Sequence, residues 1–137
     1  MGLGWFYLGW QELRLITNMN NKIYLVKYDN CEAYEDHWVS TLCGCLNKEE
    51  ASKLTIELNE WIKSARANKP ANYFNSEAYK NGITANVEEI ESYDAIERDY
   101  LAALKPPYGF DVILDAIDEF GYKRGYVKME EVELFSN

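Results

Sequence analysis

Two short, largely apolar runs with β-branched and aromatic residues predict β-strands early in the chain. Residues 23–28 are rich in β-branched and aromatic side chains, and residues 38–46 repeat the pattern. The connection between them, residues 29–36, is polar and holds four acidic residues. The pattern therefore predicts an antiparallel hairpin with a long acidic tip.

The spacing of apolar residues then becomes helical. Asn47 followed by Glu50 forms a capping box, a signal that satisfies free backbone amides at the start of a helix. The apolar residues that follow lie on one helical face: Ala51, Leu54, Leu58, Trp61, Ile62 and Ala65. Because the residue before a proline disfavours helical backbone, we expect this helix to end before Pro70.

The next segment, residues 70–85, lacks a regular period. It is rich in Asn, Ser and Gly, but it also contains Tyr73, Phe74 and Tyr79. This mixture predicts a partly packed loop or a short helix.

A second capping signal, Asn86 with Glu89, predicts a helix that runs to about Lys105, just ahead of two prolines. Its apolar arc consists of Ile90, Tyr93, Tyr100, Leu101 and Leu104. Glu97 falls inside this arc. A carboxylate there either lies at the edge of the arc with its head group in water or is buried and paired. We favour a structural role for Glu97 over that of a catalytic acid.

A third helix is predicted from Gly109 or Phe110 to Phe120, closed by Gly121. Its buried positions are expected to be Phe110, Ile113, Leu114 and Ile117. On the opposite side three aspartates recur at i, i+4 and i+7, with a glutamate beside them: Asp111, Asp115, Asp118 and Glu119. Such a row can bind Mg²⁺ or act in acid–base catalysis. A solvated face is the favoured interpretation, and a solvated face can still bind a partner.

Residues 126–135 are predicted to form the last strand. Val127 and Met129 share one parity, whereas Val132 and Leu134 have the other. A bulge near Glu130 and Glu131 would account for the change.

The element order β-β-α-α-α-β predicts an α+β fold, with a small antiparallel sheet and about three helices packed on one face. We expect residues 1–137 to form a single domain. Residues 1–18 are aromatic and glycine-rich and are expected to be an N-terminal extension or an extra strand. Trp5, Tyr7 and Trp10 would need an apolar surface to cover them, so a homodimer through residues 1–18 is possible.

The charge is distributed unevenly along the chain. There are 23 acidic and 14 basic residues, a net charge of −9, with −1 in residues 1–85 and −8 in residues 86–137. This excess opposes direct binding to nucleic acid or to an anionic membrane surface. It favours a cationic partner.

The start of the chain lacks the basic region and cleavage site of a signal peptide, so a cytoplasmic protein is predicted. Three cysteines and one histidine form the single set with metal-ligand chemistry: Cys31, His37, Cys43 and Cys45. Their spacing is unlike that of zinc sites, and free thiols are favoured over zinc or over a nucleophilic cysteine–histidine pair. We expect no cofactor and no catalytic residue.

The segments KIYLVKYDN, HWVSTLCGCLNKEEASKLTIELNEW and GYVKMEEVELF together resemble small uncharacterised proteins of bacteria and their phages. In those proteins a hairpin leads through a capped amphipathic helix to a closing strand. In size and acidity the chain also resembles phage-encoded inhibitors, including anti-CRISPR and anti-restriction proteins that occupy basic nucleic-acid grooves. This second resemblance is one of composition and transfers no functional residue.

The favoured hypothesis is a non-enzymatic interaction protein of a phage or mobile element that binds a basic surface of a host protein and blocks a nucleic-acid-binding groove. Its predicted partner-binding residues are Asp111, Asp115, Asp118, Glu119, Glu88, Asp99, Tyr108 and Tyr122. Tyrosines of this set would supply apolar anchoring after electrostatic steering. The alternatives are a small metal-dependent hydrolase and an oligomeric structural protein assembled through the aromatic N-terminus.

Overall fold

The computed structural model describes residues 5–6, 22–117 and 124–133, and residues 5–6 by their backbone alone. Its strands and α-helices are β1 (Trp5–Phe6), β2 (Lys22–Asp29), β3 (Val39–Cys45), α1 (Lys48–Asn68), α2 (Glu77–Lys80), α3 (Val87–Ala103) and β4 (Tyr126–Glu133). Short 3-10 helices lie at Tyr34–Asp36, Tyr73–Asn75, Pro107–Gly109 and Asp111–Ala116. The chain is α+β, as the sequence predicts.

The strands form one antiparallel sheet in the order β1-β3-β2-β4. The predicted hairpin is confirmed as β2 and β3. An extra strand within residues 1–18 is confirmed at residues 5–6, which pair with the end of β3, and the rest of that segment lies outside the described residues. The C-terminal strand β4 lies beside β2, at the other edge of the sheet.

The irregular step of the sheet lies in β3 and not in β4. β2 and β4 pair in unbroken register over their 8 residues, so the predicted bulge near Glu130 and Glu131 is wrong. Val132 is partly buried because it points away from α1 and lies opposite the buried Ile23. Apolar residues are thus covered on both faces of β4, which explains why they change from odd-numbered to even-numbered positions along the strand. A register shift occurs instead between β2 and β3, where the pairing skips Leu42.

α1 covers one face of the sheet. The side chain of its N-cap, Asn47, accepts hydrogen bonds from the amides of Glu49 at 2.7 Å and Glu50 at 3.3 Å, which confirms the predicted start. Its apolar face is buried as predicted, with Trp61 half-buried, and the helix ends before Pro70. The core also contains residues of the sheet and of the segment after α3: Val26, Tyr28, Leu42, Cys43, Cys45, Phe110, Ile113 and Val127.

α3 is joined to α1 by side-chain contacts. The side chain of Asn86 caps it by accepting a hydrogen bond from the Glu89 amide at 2.9 Å, as predicted. Its apolar arc is only half-buried, and the Tyr100 hydroxyl donates to the Ala65 carbonyl of α1 at 2.7 Å. Most of the α3 surface therefore faces solvent. Of the helices in the described ranges, none has both the length and the apolar character to cross a membrane.

The third predicted helix has a different geometry from the one expected. Residues 111–116 form a 3-10 helix and not an α-helix, and the predicted end at residues 118–121 lies outside the described residues. Phe110 supplies no side-chain cap, and the β-branched Val112 and Ile113 have low α-helical propensity. The predicted apolar positions are confirmed, with the last one only half-buried: Phe110, Ile113, Ile117 and Leu114.

Polar side chains of α1 connect it to the C-terminal part of the fold. Arg66 donates from Nε to the carbonyl of Ala116 and from Nη2 to the carbonyl of Gly125, each at 2.8 Å. Asn59 donates to the carbonyl of Val127 and accepts from its amide, again at 2.8 Å each. These bonds fix the segment after α3 and the start of β4 against α1.

Candidate protein-binding surface

α3 is strongly acidic. Its 17 residues include six carboxylates and one arginine, a net charge of −5. At 100° per residue, Glu88, Glu91 and Asp99 point to one outward side of the helix, away from the arc that packs on α1. Glu88 and Asp99 are predicted site residues, and both are exposed. The structure therefore brings this predicted pair onto one solvent-facing surface.

Five of the six carboxylates carry no ion pair in the described part of the chain. We call these exposed residues the α3 acidic surface: Glu88, Glu89, Glu91, Asp94 and Asp99. The sixth, Glu97, is half-buried, and its Oε2 lies 3.6 Å from Nζ of Lys69 at the end of α1. Lys69 also donates to the carbonyl of Ile117 at 3.0 Å. Glu97 thus lies in the apolar arc as predicted and holds α3 against α1.

Two of the three acidic residues of β4 are paired with lysines of β2. Glu130 pairs with Lys27, and Glu131 lies 3.5 Å from Lys22. Both lysines are remote in sequence and adjacent across the sheet. The charge of −8 in residues 86–137 therefore overstates the negative field of that segment, and within its described residues five of the carboxylates without an ion pair lie on α3.

The predicted α-helical row of aspartates is wrong for its first two members. In a 3-10 helix, which has about three residues per turn, positions four apart differ by about 120° and do not share a face. Asp111 is exposed, whereas Asp115 is half-buried and accepts a hydrogen bond from the Tyr28 hydroxyl at 2.7 Å. Asp118 and Glu119 lie outside the described residues, so their role stays a prediction.

Asp115 belongs to the interior of the fold more than to its surface. Burial and the Asp115 carboxylate both raise the pKa of Tyr28, so its phenol stays a neutral donor. A cavity of about 300 Å³ opens beside this pair, between α3 and the 3-10 helix. Its described lining is apolar apart from Asp115: Leu101, Ala102 and Leu114.

Of the two predicted tyrosine anchors, one lies within the described residues. Tyr108 is about half exposed, and its hydroxyl donates to both carboxylate oxygens of Glu57, at 2.9 and 2.8 Å. This contact places Tyr108 next to α1 and leaves part of its ring accessible. Tyr122 lies outside the described residues.

The four potential metal ligands are not brought together. Cys43 and Cys45 are buried in the core beneath α1, whereas Cys31 and His37 are exposed in the loop between β2 and β3. In the ranges that the structure describes, no group of three or more His, Cys, Asp or Glu side chains could hold a metal ion. Partial burial and the nearby Asp29 carboxylate raise the pKa of the Cys31 thiol, the opposite of the shift that activates a nucleophilic cysteine.

Sequence patterns missed the residue that organises this loop. Asp29, at the end of β2, is buried and accepts hydrogen bonds from the Cys31 amide at 2.8 Å and from Lys128 Nζ at 3.0 Å. Nε2 of His37 lies 2.9 Å from the same carboxylate. The next residue, Asn30, accepts from the Trp38 amide at 3.0 Å. An Asp-Asn pair at a strand end is a known turn-forming signal and could have indicated this structure.

Asp29 is expected to make folding stability depend on pH in the acid range. The Cys31 amide and Lys128 lower its pKa from 3.8 to about 2. Since the folded-state pKa lies below the unfolded one, this stabilisation is present above about pH 4 and is lost as the pH falls towards 2. Asp29→Asn should therefore lower the stability at neutral pH and flatten its decline between pH 5 and pH 2, as followed by urea unfolding.

Asp36, exposed in the same loop, provides the matched control. Asp36→Asn should leave the pH profile unchanged. Equal profiles for the wild type and Asp29→Asn would contradict the assignment.

An apolar cluster occupies the segment that sequence analysis left without a role. Tyr73 is buried, and its ring contacts Phe74, Tyr79 and Tyr93 with centroid distances of 5.2, 5.4 and 5.8 Å. The prediction of a partly packed loop or short helix is confirmed by the 3-10 turn and α2. Four apolar side chains of this segment and of the first turn of α3 are 50–69% exposed, and we call them the Tyr73 patch: Phe74, Tyr79, Ile83 and Val87.

Comparison with known proteins gave no match to a family model, to a curated protein or to a solved structure. The resemblance to phage inhibitors thus stays a prediction. The hydrolase and the oligomer assembled through residues 1–18 also stay predictions.

Proposed function

We propose that this chain is a non-enzymatic interaction protein that binds a basic surface of another protein through the α3 acidic surface. The observation that carries the proposal is the set of five exposed carboxylates on one helix, without an ion pair among the described residues. Elsewhere several acidic residues are neutralised by lysines, as Glu130 is by Lys27. Unpaired charge concentrated on one helix supports steering towards a cationic partner.

The charge density of α3 supports a more specific form of the proposal. At 1.5 Å per residue, the five carboxylates of the α3 acidic surface extend over about 17 Å, so they follow each other on average about every 4 Å along the axis. One strand of DNA carries a phosphate about every 3.4 Å along its axis. We propose that α3 occupies a groove of a host protein that otherwise binds nucleic acid, and that the chain acts as an inhibitor encoded by a phage or mobile element.

The attachment of α3 to the core supports binding without a large loss of conformational entropy. The helix is capped by Asn86, its Tyr100 hydroxyl is bonded to the backbone of α1, and Glu97 is paired with Lys69. The five carboxylates therefore project from a fixed frame. A helix that is already formed and attached favours affinity because its backbone needs no ordering on binding.

Neutralising three residues of the α3 acidic surface is expected to weaken binding to a dodecalysine peptide about tenfold at low salt, since each exposed ion pair contributes about 0.2 to 1 kcal/mol. The variant is Glu88→Gln with Glu91→Gln and Asp99→Asn. Binding is followed by fluorescence anisotropy at about 50 mM and about 200 mM salt, and wild-type affinity should fall with salt.

A second triple variant separates local charge from bulk charge. Glu35→Gln, Glu60→Gln and Glu133→Gln remove the same number of charges from exposed positions outside α3. This control should bind dodecalysine nearly as well as the wild type. Equal losses in the two triple variants, or an affinity that stays flat with salt, would contradict the proposal.

A further inference from the structure

The Tyr73 patch is an exposed apolar surface with a fixed shape. Phe74 and Tyr79 contact each other edge to face, with centroids 5.4 Å apart, and both contact the buried Tyr73. Aromatic side chains that are already ordered before binding contribute large apolar area at a low entropic cost. The patch therefore has the properties of an anchoring site for a partner.

Hydrogen bonds hold the backbone beneath the patch. The Asn72 side chain accepts from the Asn75 amide at 3.1 Å, and Ser76 Oγ accepts from the Tyr79 amide at 3.2 Å. The Tyr73 hydroxyl donates to the carbonyl of Ile83, which brings the two ends of the segment together. These internal bonds constrain the backbone that carries the exposed rings.

The patch reaches the first turn of α3. Val87, the most exposed of its four residues, is the first residue of that helix. Tyr93, further along α3, contacts the ring of Tyr73. At 100° per residue the exposed Glu89 lies on the same side of α3 as Tyr93, one turn before it. Apolar and acidic groups therefore meet within the first turns of one helix.

We propose that the Tyr73 patch is the apolar half of the partner-binding surface, and that its occupant is a basic amphipathic segment of the partner protein. Apolar side chains of that segment lie on Phe74 and Tyr79, while its lysine or arginine side chains lie over Glu89, the exposed carboxylate one turn before Tyr93 on the same side of α3. This inference rests on the proposed function and adds the nature of the partner. Charge complementarity selects the occupant, because a second copy of this chain would place acidic residues against the same acidic turn and an anionic membrane would be repelled.

The proposal is tested with two synthetic peptides of about 18 residues, both composed of lysine and leucine. In one the leucines form a helical stripe, and in the other the same residues are permuted so that no stripe exists. Wild-type protein is expected to bind the amphipathic peptide about tenfold more tightly than the permuted one, as isothermal titration calorimetry would measure. Equal affinity for the two peptides would overturn the inference.

Two double variants test whether the preference for the amphipathic peptide depends on the Tyr73 patch. Phe74→Gln with Ile83→Gln should reduce the preference to about twofold or less while leaving the permuted peptide bound, since anchoring groups dominate such contacts. The matched control, Leu46→Gln with Ile56→Gln, removes two exposed apolar side chains elsewhere and should keep the full preference. Thermal unfolding of both variants establishes that they are folded.

Two further outcomes separate this inference from the proposed function. If the wild type binds the two peptides with equal affinity but the α3 triple variant still binds dodecalysine more weakly than the wild type, the role of the patch is refuted and the proposed function stands. If dodecalysine binding is unaffected by that triple variant, the proposed function fails. Dimerisation of the wild type that is abolished by Phe74→Gln with Ile83→Gln, measured by sedimentation, would make the occupant a second copy and overturn the inference.

Discussion

Replacing Gly125 with alanine is expected to lower the free energy of unfolding by about 3 kcal/mol, the upper end of the range for overpacking a core. A Cβ atom at Gly125 would lie 1.8 Å from the hydroxyl oxygen of Tyr28 and 2.5 Å from its Cζ. Neither group is able to move away easily. The carbonyl of Gly125 is held by Arg66, and the Tyr28 hydroxyl is held by Asp115. Urea unfolding monitored by circular dichroism would measure the loss.

Two variants sharpen this prediction. In Gly82→Ala the added Cβ atom would have no atom within 4 Å, and the cost is only that alanine takes the positive φ of Gly82. This change should therefore lower stability by about 1 kcal/mol. Tyr28→Phe combined with Gly125→Ala removes the closest contact and should be less destabilising than the sum of the two single changes. Similar losses for Gly125→Ala and Gly82→Ala would show that the contact with Tyr28 does not set the effect.

Replacing Asn59 with leucine is expected to lower the free energy of unfolding by roughly 2 to 4 kcal/mol, since an unsatisfied buried polar group costs about 1 to 3 kcal/mol. The carboxamide of Asn59 is bonded to both the amide and the carbonyl of Val127, whose side chain is buried. Leucine fills a similar volume but leaves both backbone groups without these bonds. Faster exchange of the Val127 amide hydrogen should accompany the lower stability.

Asn68 is the control for this change. It also lies on α1, but among the described residues its side chain bonds within the helix alone, to the carbonyl and hydroxyl of Ser64. Asn68→Leu should alter stability by less than about 0.5 kcal/mol, as expected for an exposed position. A loss as large as that of Asn59→Leu would contradict the role assigned to the Val127 bonds.

The features predicted correctly are those encoded by short-range patterns. Capping by Asn47 and Asn86, the buried face of α1 and the position of Glu97 in the α3 arc all depend on residues within a few turns of each other. Such patterns report burial and local backbone geometry directly. The two helices predicted within residues 47–69 and 86–105 therefore begin and end nearly where the sequence indicates.

The errors arise where distant residues decide the outcome. The aspartate row assumed α-helical geometry, whereas the segment is 3-10 and Asp115 is bound by Tyr28, which lies 87 residues earlier. Counting charge along the chain likewise ignored Lys22 and Lys27, which pair with two of the carboxylates of β4 across the sheet. Periodicity contains no information about either contact.

The candidate site was predicted in part. Glu88 and Asp99 lie on the surface that we propose binds a partner, because the helical phase of α3 was correct. The Tyr73 patch was missed, since its residues have no regular spacing and are gathered by ring contacts and by the bond from Tyr73 to Ile83. An excess of aromatic residues in a polar loop was the available signal.

The position of Asn59 also bears on how this protein avoids aggregation. β4 is the terminal strand in the sheet order, and strands in that position can recruit further strands from other molecules through their outward amides and carbonyls. At Val127 the carboxamide of Asn59 fills that role, making the two hydrogen bonds that an intruding strand would otherwise make. Further along β4 the charged side chains of Lys128, Glu130 and Glu131 disfavour stacking of identical chains. A single helix side chain thus occupies the two backbone groups of Val127 that an added strand would need.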